Sequence, residues 1–318
     1  MQINTLINQH KKKFDKFYIN ILNKKLDNSL LSKAMKYSSI DGGKRIRAFL
    51  VSQSSKMVNL SEENTMIISS SIESIHSYSL IHDDLPSMDD DDFRRGKQSN
   101  HKKFGEATAI LAGDALHDFA FQLISENLKN INPKQNLKLI NYLTKSTGHE
   151  GLAGGQSLDL LYENKNLSKN KIVEMYNKKT GKLFEFSFAA PFILKNKNTN
   201  TLKFGKNYGS VFGTIFQITD DILDEINSFK EIGKTPGKDK KQGKRTLLSV
   251  LGKIKAIEFC ERLAEEFIKN YYNGKTNRKN TNSRISFDER FLHQPYQLLQ
   301  LSCYRLRTST PSIGRLKS

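Results

Sequence analysis

The feature that most limits what this chain can fold into is the spacing of its apolar residues. Residues 62–82, EENTMIISSSIESIHSYSLIH, contain no proline or glycine and place Met66, Ile67, Ile72, Ile75, Leu80 and Ile81 at mixed three- and four-residue steps. The segments 106–128, 171–194, 205–226 and 246–270 repeat the pattern, and no run alternates with the two-residue period of a strand. With only 6 prolines in 318 residues, such stripes must be buried by packing helix against helix, so the expected fold is all-α, a single-domain helical bundle with functional loops. Pro191, inside one of these runs, is expected to kink it. Punctuation falls at Asp41-Gly42-Gly43, at Pro86 and Gly96, from Gly148 to Gly155 and from Gly233 to Gly243. Residues 1–270 read as the helical domain. Residues 271–318, opening on the polar, basic stretch NGKTNRKNTNSR, form an atypical C-terminal segment with no assignment.

Two aspartate clusters interrupt this apolar pattern. The first, Asp83-Asp84-Leu-Pro-Ser-Met-Asp89-Asp90-Asp91-Asp92, leads into Arg94-Arg95, and the second is Asp220-Asp221-Ile-Leu-Asp224. Each follows an apolar helical run. Asp220 and Asp224, at i and i+4, share a helix face. Asp83 and Asp89 would diverge on a straight helix, but Pro86 disfavours helix at Leu85, so a loop is expected to bring Asp89 back. Crowded carboxylates raise one another's pKa unless a cation relieves them, and Mg²⁺ takes a few carboxylates together with substrate phosphates.

Such acid clusters call for bases that hold phosphate. Gly42-Gly43-Lys44-Arg45-Ile46-Arg47 is a glycine turn entering a helix, with Lys44 and Arg47 on one face. His76 lies two turns before Asp83 on the same helix. Arg94 and Arg95 follow the first cluster, and Lys179-Thr180-Gly181, Lys234 and Lys244 add further cations. Together they describe two diphosphate sites, one bridged by metal and one held by side chains. The chain as a whole carries 51 Lys and Arg against 33 Asp and Glu, a net charge of +18. Lysine is abundant even where no motif occurs, and no helix-turn-helix, RNA-binding or zinc-finger pattern supports a nucleic-acid partner. Cys260 and Cys303 form no metal-ligand or disulfide pattern. The N-terminal stretch lacks an uninterrupted apolar run, and no run approaches the ~18–20 apolar residues of a membrane span. A cytoplasmic location is expected.

The segments GGKRIR, IHSYSLIHDDLPSMDDDDFRRGK, AILAGDAL, GLAGGQSLDL, KKTGKLF, FQITDDILD and GKTPGKDKKQGKRT, in that order over residues 38–266, resemble the trans-isoprenyl diphosphate synthases (polyprenyl synthetases), and among them the bacterial farnesyl-producing branch. The resemblance implies that the bundle surrounds a central cavity, and it implies a Mg²⁺-dependent prenyltransferase that joins isopentenyl diphosphate to dimethylallyl and geranyl diphosphate. It implies that Asp83, Asp84, Asp89 and Asp220, with Asp221 and Asp224, bind about three Mg²⁺, Mn²⁺ being the alternative. Lys179, Lys234 and Arg94 match residues that touch the allylic diphosphate, and Lys44, Arg47, His76 and Arg95 match the isopentenyl pocket. Lys244 matches a lysine that closes over the site, and Thr180 and Gln217 match oxygens that face the developing cation. A homodimer is implied too. The family's usual proline after the GGKRIR turn is Ala48 here.

Product length is expected to be set by Tyr78, about 7–8 Å before Asp83 along its helix. By resemblance a bulky aromatic there forms the floor under the growing chain, and the neighbouring Ser79 is small. A twenty-carbon, geranylgeranyl product and a non-catalytic partner subunit are the alternatives. A terpene cyclase would have no use for the second, isopentenyl pocket.

Overall fold

The computed structural model describes residues 3–40, 42–226, 244–271, 297 and 299. Thirteen α-helices account for most of these residues. They are α1 (Ile3–Lys25), α2 (Leu30–Ser39), α3 (Ile46–Met57), α4 (Glu62–Asp83), α5 (Asn100–Phe104), α6 (Glu106–Asn127), α7 (Pro133–Thr147), α8 (Leu152–Leu161), α9 (Lys169–Tyr176), α10 (Lys182–Leu194), α11 (Thr199–Ile226), α12 (Leu247–Leu251) and α13 (Lys253–Tyr271). Sheet among the described residues is limited to a hairpin, Phe93–Arg94 against Lys97–Gln98, which reverses through Arg95 and Gly96 at positive φ. The spacing of apolar residues did not signal that hairpin.

The helix ends are written locally. Ser61 accepts from the Asn64 N–H at 3.3 Å and Glu62 and Glu63 occupy the first turn of α4, where the dipole favours acids. Asn132 caps α7 ahead of Pro133. The expected run 171–194 is not one helix: a π-helical turn, Asn177–Gly181, separates α9 from α10. The run 246–270 is likewise divided, at Gly252 with φ +72°. Pro191 sits in the last turn of α10, where it has no N–H to donate to the Ser187 carbonyl.

The interior forms around α4 and α10. All of α10 except Lys182 is buried, the pattern of a helix surrounded by others; it packs on α3, α7 and α11, while α4 packs on α3 and α6. Serine-rich α4 can be interior because its hydroxyls bond back to its own carbonyls: Ser69 to Thr65 at 2.7 Å, Ser70 to Met66 and Ser74 to Ser70 at 2.8 Å. Among the described residues no helix is long and apolar enough to cross a membrane. Of the C-terminal segment 271–318, the described residues are Tyr271, Gln297 and Leu299, and Leu299 is buried in the core that contains α13.

Candidate active site

A cavity of about 1370 Å³ opens between α3, α4, α8 and α11. Its wall carries Asp83 from the end of α4, Asp220 and Asp224 from one face of α11, and Lys44, Arg47, His76, Arg94, Arg95, Lys179, Thr180 and Gln217. Tyr78, Ser79 and His82 line it along α4, and Ile7 of α1 also reaches it. The i, i+4 pairing of Asp220 and Asp224 therefore places both carboxylates on the same wall.

The first cluster turns as Pro86 requires. Helix α4 stops at Asp83, and the Asp89 N–H donates to the Asp83 carbonyl at 2.9 Å, closing a tight loop. Asp83 and Asp84 then have different surroundings. Burial raises Asp83 above the ordinary carboxylate range, against the pull of Lys179. Asp84 is buried away from this cavity and receives the Arg94 guanidinium, Nε to Oδ1 at 2.9 Å; burial nevertheless pushes its carboxyl up to about 6. Asp89 accepts from Lys244 Nζ at 2.7 Å, and Lys244 with Lys179 outweighs burial and holds that carboxyl below its usual range.

In the second cluster, Asp221 sits behind the wall. Its Oδ1 accepts from Gln217 Nε2 at 2.9 Å and its Oδ2 from the Tyr176 hydroxyl. Thr180 donates to Gln217 Oε1 at 2.6 Å, tying the π-turn to α11. Outside the cavity, Asp90, Asp92 and His101 each bring one ligand-type atom to within 4.8 Å of the others.

The bases are organised around buried groups. Arg45, in the left-handed conformation at φ 55°, turns inward: it donates to Asp15 at 2.8 Å, to Glu73 at 3.0 Å and to the Ser39 carbonyl at 2.7 Å. Arg45 and Glu73 still border the cavity, beside Lys44 and Arg47. The Arg47 guanidinium lies 4.4 Å from the Phe184 ring centroid, burial lowers its pKa, and its Nε is buried without a hydrogen-bond partner among the described residues. Arg47 also borders the cavity, and a guanidinium there suits an anion. Burial, then Arg47 and Arg95, keep His76 neutral, with its pKa well below the usual imidazole value; burial likewise lowers Arg95 to about 10. Lys179 donates to Asp159 at 2.6 Å; Asp159 and Asp83 offset the burial that would lower its pKa and raise it instead.

The π-turn fixes where Lys179 and Thr180 point. It is gripped on both sides: a Cβ on Gly155 of α8 would sit 2.1 Å from the Lys179 amide nitrogen, and one on Gly213 of α11 would sit 2.7 Å from the Gly181 Cα. Such single π-turns mark functional positions. Lys234, expected at the site, lies outside the described residues. The residues that sequence reasoning missed are the supporting ones: Arg45, Glu73, Asp159 and Tyr176. Glu73 and Asp159 each stand alone in apolar runs, a signal of burial with a partner that was available to read.

The profile of the polyprenyl synthetase family matches residues 28–286. This chain belongs to that family. Among curated polyprenyl synthetases it is 42% identical over 250 residues to the farnesyl diphosphate synthase of Micrococcus luteus, covering 77% of this chain and 85% of the relative. It is 39% identical over 253 residues to a chloroplastic geranylgeranyl pyrophosphate synthase of Capsicum annuum, covering 77% and 69%. Among solved polyprenyl synthetases, the apo structure of an FPP/GFPP synthase from Zymomonas mobilis superposes with a TM-score of 0.77 at 31% identity, over 96% of this chain and 98% of the other.

Proposed function

We propose that the protein condenses isopentenyl diphosphate with dimethylallyl and then geranyl diphosphate to give farnesyl diphosphate. The observation that carries this reading is one cavity lined both by Asp83, Asp220 and Asp224 and by Lys44, Arg47 and Arg95. The acid side fits divalent metal: three carboxylates face one space, and burial raises Asp83 although Lys179 is near, a charge that a hard cation would compensate. Mg²⁺, about three ions held by Asp83, Asp89, Asp220 and Asp224 with Asp84 and Asp221 behind them, would neutralise the allylic diphosphate as it departs; Mn²⁺ has the same ligand chemistry.

The chain's own residues then divide the work. Lys179 and Arg94, with Lys234 expected beside them, hold the allylic diphosphate in place. Arg47, Lys44, Arg95 and neutral His76 bind the isopentenyl diphosphate, the arginines through charge-assisted hydrogen bonds. Thr180 and Gln217 present oxygen dipoles where positive charge develops on the allylic carbons. The C–O bond to diphosphate breaks first and leaves that cation, the isopentenyl double bond then attacks it to form the C–C bond, and the proton lost from the adduct goes to the released diphosphate. Tyr78 forms the floor. The working unit is a homodimer, for which the exposed Ile110 and Leu111 of α6 offer apolar surface, and its location is the cytoplasm.

Labelled isopentenyl diphosphate supplied with Mg²⁺ and geranyl diphosphate should yield a fifteen-carbon alcohol after dephosphorylation. No incorporation would leave the partner-subunit reading, and a twenty-carbon product would replace farnesyl by geranylgeranyl diphosphate.

A further inference from the structure

Four residues at the start of α12 are tied to both aspartate clusters. At one end Lys244 Nζ donates to Asp89 of the first cluster at 2.7 Å. At the other, the Leu247 N–H donates to the Tyr176 hydroxyl at 2.9 Å, and that hydroxyl donates in turn to Asp221 of the second cluster. We propose that Tyr176 is a positioning residue that fixes the 244–247 segment across the two clusters and so determines where the Lys244 ammonium sits. The inference rests on the functional reading above, because it gives Lys244 its purpose.

The physical case begins with the phenol. Tyr176 does not line the cavity and is buried, 3% exposed, at the end of α9. Its hydroxyl has one hydrogen and lone pairs, so it can donate to Asp221 and accept from Leu247 at once, each bond polarising the other. Burial and the Asp221 charge keep it protonated at all ordinary pH. Leu247 is the first residue of α12, where backbone N–H groups lack helical partners; Thr246 caps Ser249, and Tyr176 takes Leu247. Three residues of extended chain reach at most about 10 Å. A shift at Leu247 is therefore passed on to Lys244, which has little slack to absorb it.

The test is a mutant cycle with two routes into it. Tyr176→Phe keeps the ring in the core and removes only the hydroxyl. Leu247→Pro removes the accepted N–H, at a first-turn position that tolerates proline and after Thr246, whose φ −97°, ψ 163° suits a following proline; because the Leu247 side chain is fully buried, Leu247→Ala, which keeps the N–H, controls for its loss. Relative to that control for Leu247→Pro, and to wild type for Tyr176→Phe, each variant should lower kcat/KM for the allylic substrate about tenfold, and the two together no further. In a Lys244→Ala background either change should cost less than about twofold. A full additional loss there would mean that Tyr176 acts through Asp221 alone, and wild-type rates in both single variants would also overturn the proposal. Trypsin cleavage after Lys244 or Arg245, read by mass spectrometry, should be faster in both variants than in wild type, and equal rates would refute the anchor whatever the activity. A wild-type protein without prenyl transfer would sink the functional reading and leave this inference to be decided by the cleavage rates.

Discussion

Asp83 and Asp84 are adjacent in sequence and unlike in circumstance. One faces the cavity with its pKa raised by burial, and the other is bonded to Arg94 behind it. Asp83→Ala should therefore lower turnover by orders of magnitude at saturating Mg²⁺ while leaving the melting temperature within a few degrees of wild type, because it removes a crowded carboxylate and no hydrogen-bonded partner of Arg94. Near-normal turnover would remove Asp83 from the proposed metal ligands. Mg²⁺ binding should also expel protons: a carboxyl whose pKa is raised must lose its proton to ligate, so affinity should fall as pH drops toward the acid range. Calorimetry in buffers of different ionisation enthalpy reads the proton count, and a count that does not rise as pH falls would contradict the raised pKa. At this scale the aspartates and cavity bases were legible in sequence because clustered like charge demands a cause. Arg45 illustrates the limit. It sits within GGKRIR beside Lys44 and Arg47, yet its positive φ turns it toward Asp15 and Glu73, and a side-chain direction set by a backbone torsion leaves no mark on the string of residues.

Among the elements, α4, α6 and α11 followed directly from three- and four-residue apolar steps. The hairpin and the division of 171–194 did not, since a two-residue strand is too short for a period and one extra residue in a turn hardly disturbs a helical pattern. Helix α1 carries a consequence of its own. His10 stacks on Phe14 at 6.2 Å and meets the edge of Phe49 at 5.6 Å; burial, then Lys56, lowers its pKa to about 4. Its folded value thus lies below the unfolded one, so the unfolded chain takes the proton first. This contribution is present above pH 6.5 and is lost as pH falls toward 4, up to about 3 kcal/mol. Denaturant titrations at pH 7 and 4.5 should show a larger loss for wild type than for His10→Phe, and equal losses would clear His10 of the role.

For the molecule as a whole, the proposed floor ties product length to how far the cavity runs along α4. The Tyr78 ring lines it together with His82, and His117 packs on the same ring; each histidine centroid is 5.2 Å from that of Tyr78. Tyr78→Ala should shift the product from fifteen carbons to twenty or more with total turnover retained, since a floor excludes volume and takes no part in bond making; chromatography of the dephosphorylated alcohols reads the result, and an unchanged distribution would acquit Tyr78. The same bundle holds one departure from helical regularity that could not be mended without harm. Asn177–Gly181 amounts to a residue too many between α9 and α10. Deleting one would let the two helices run on as a single rod with better backbone bonds. It would also rotate everything upstream by about 100° relative to everything downstream, so that Tyr176 and Lys179 could no longer meet their partners on α8 and α11 while α10 kept its seat in the core. The flaw sets the angular phase between two halves of a chamber wall, and a repair aimed at stability alone would erase the alignment on which the chamber depends.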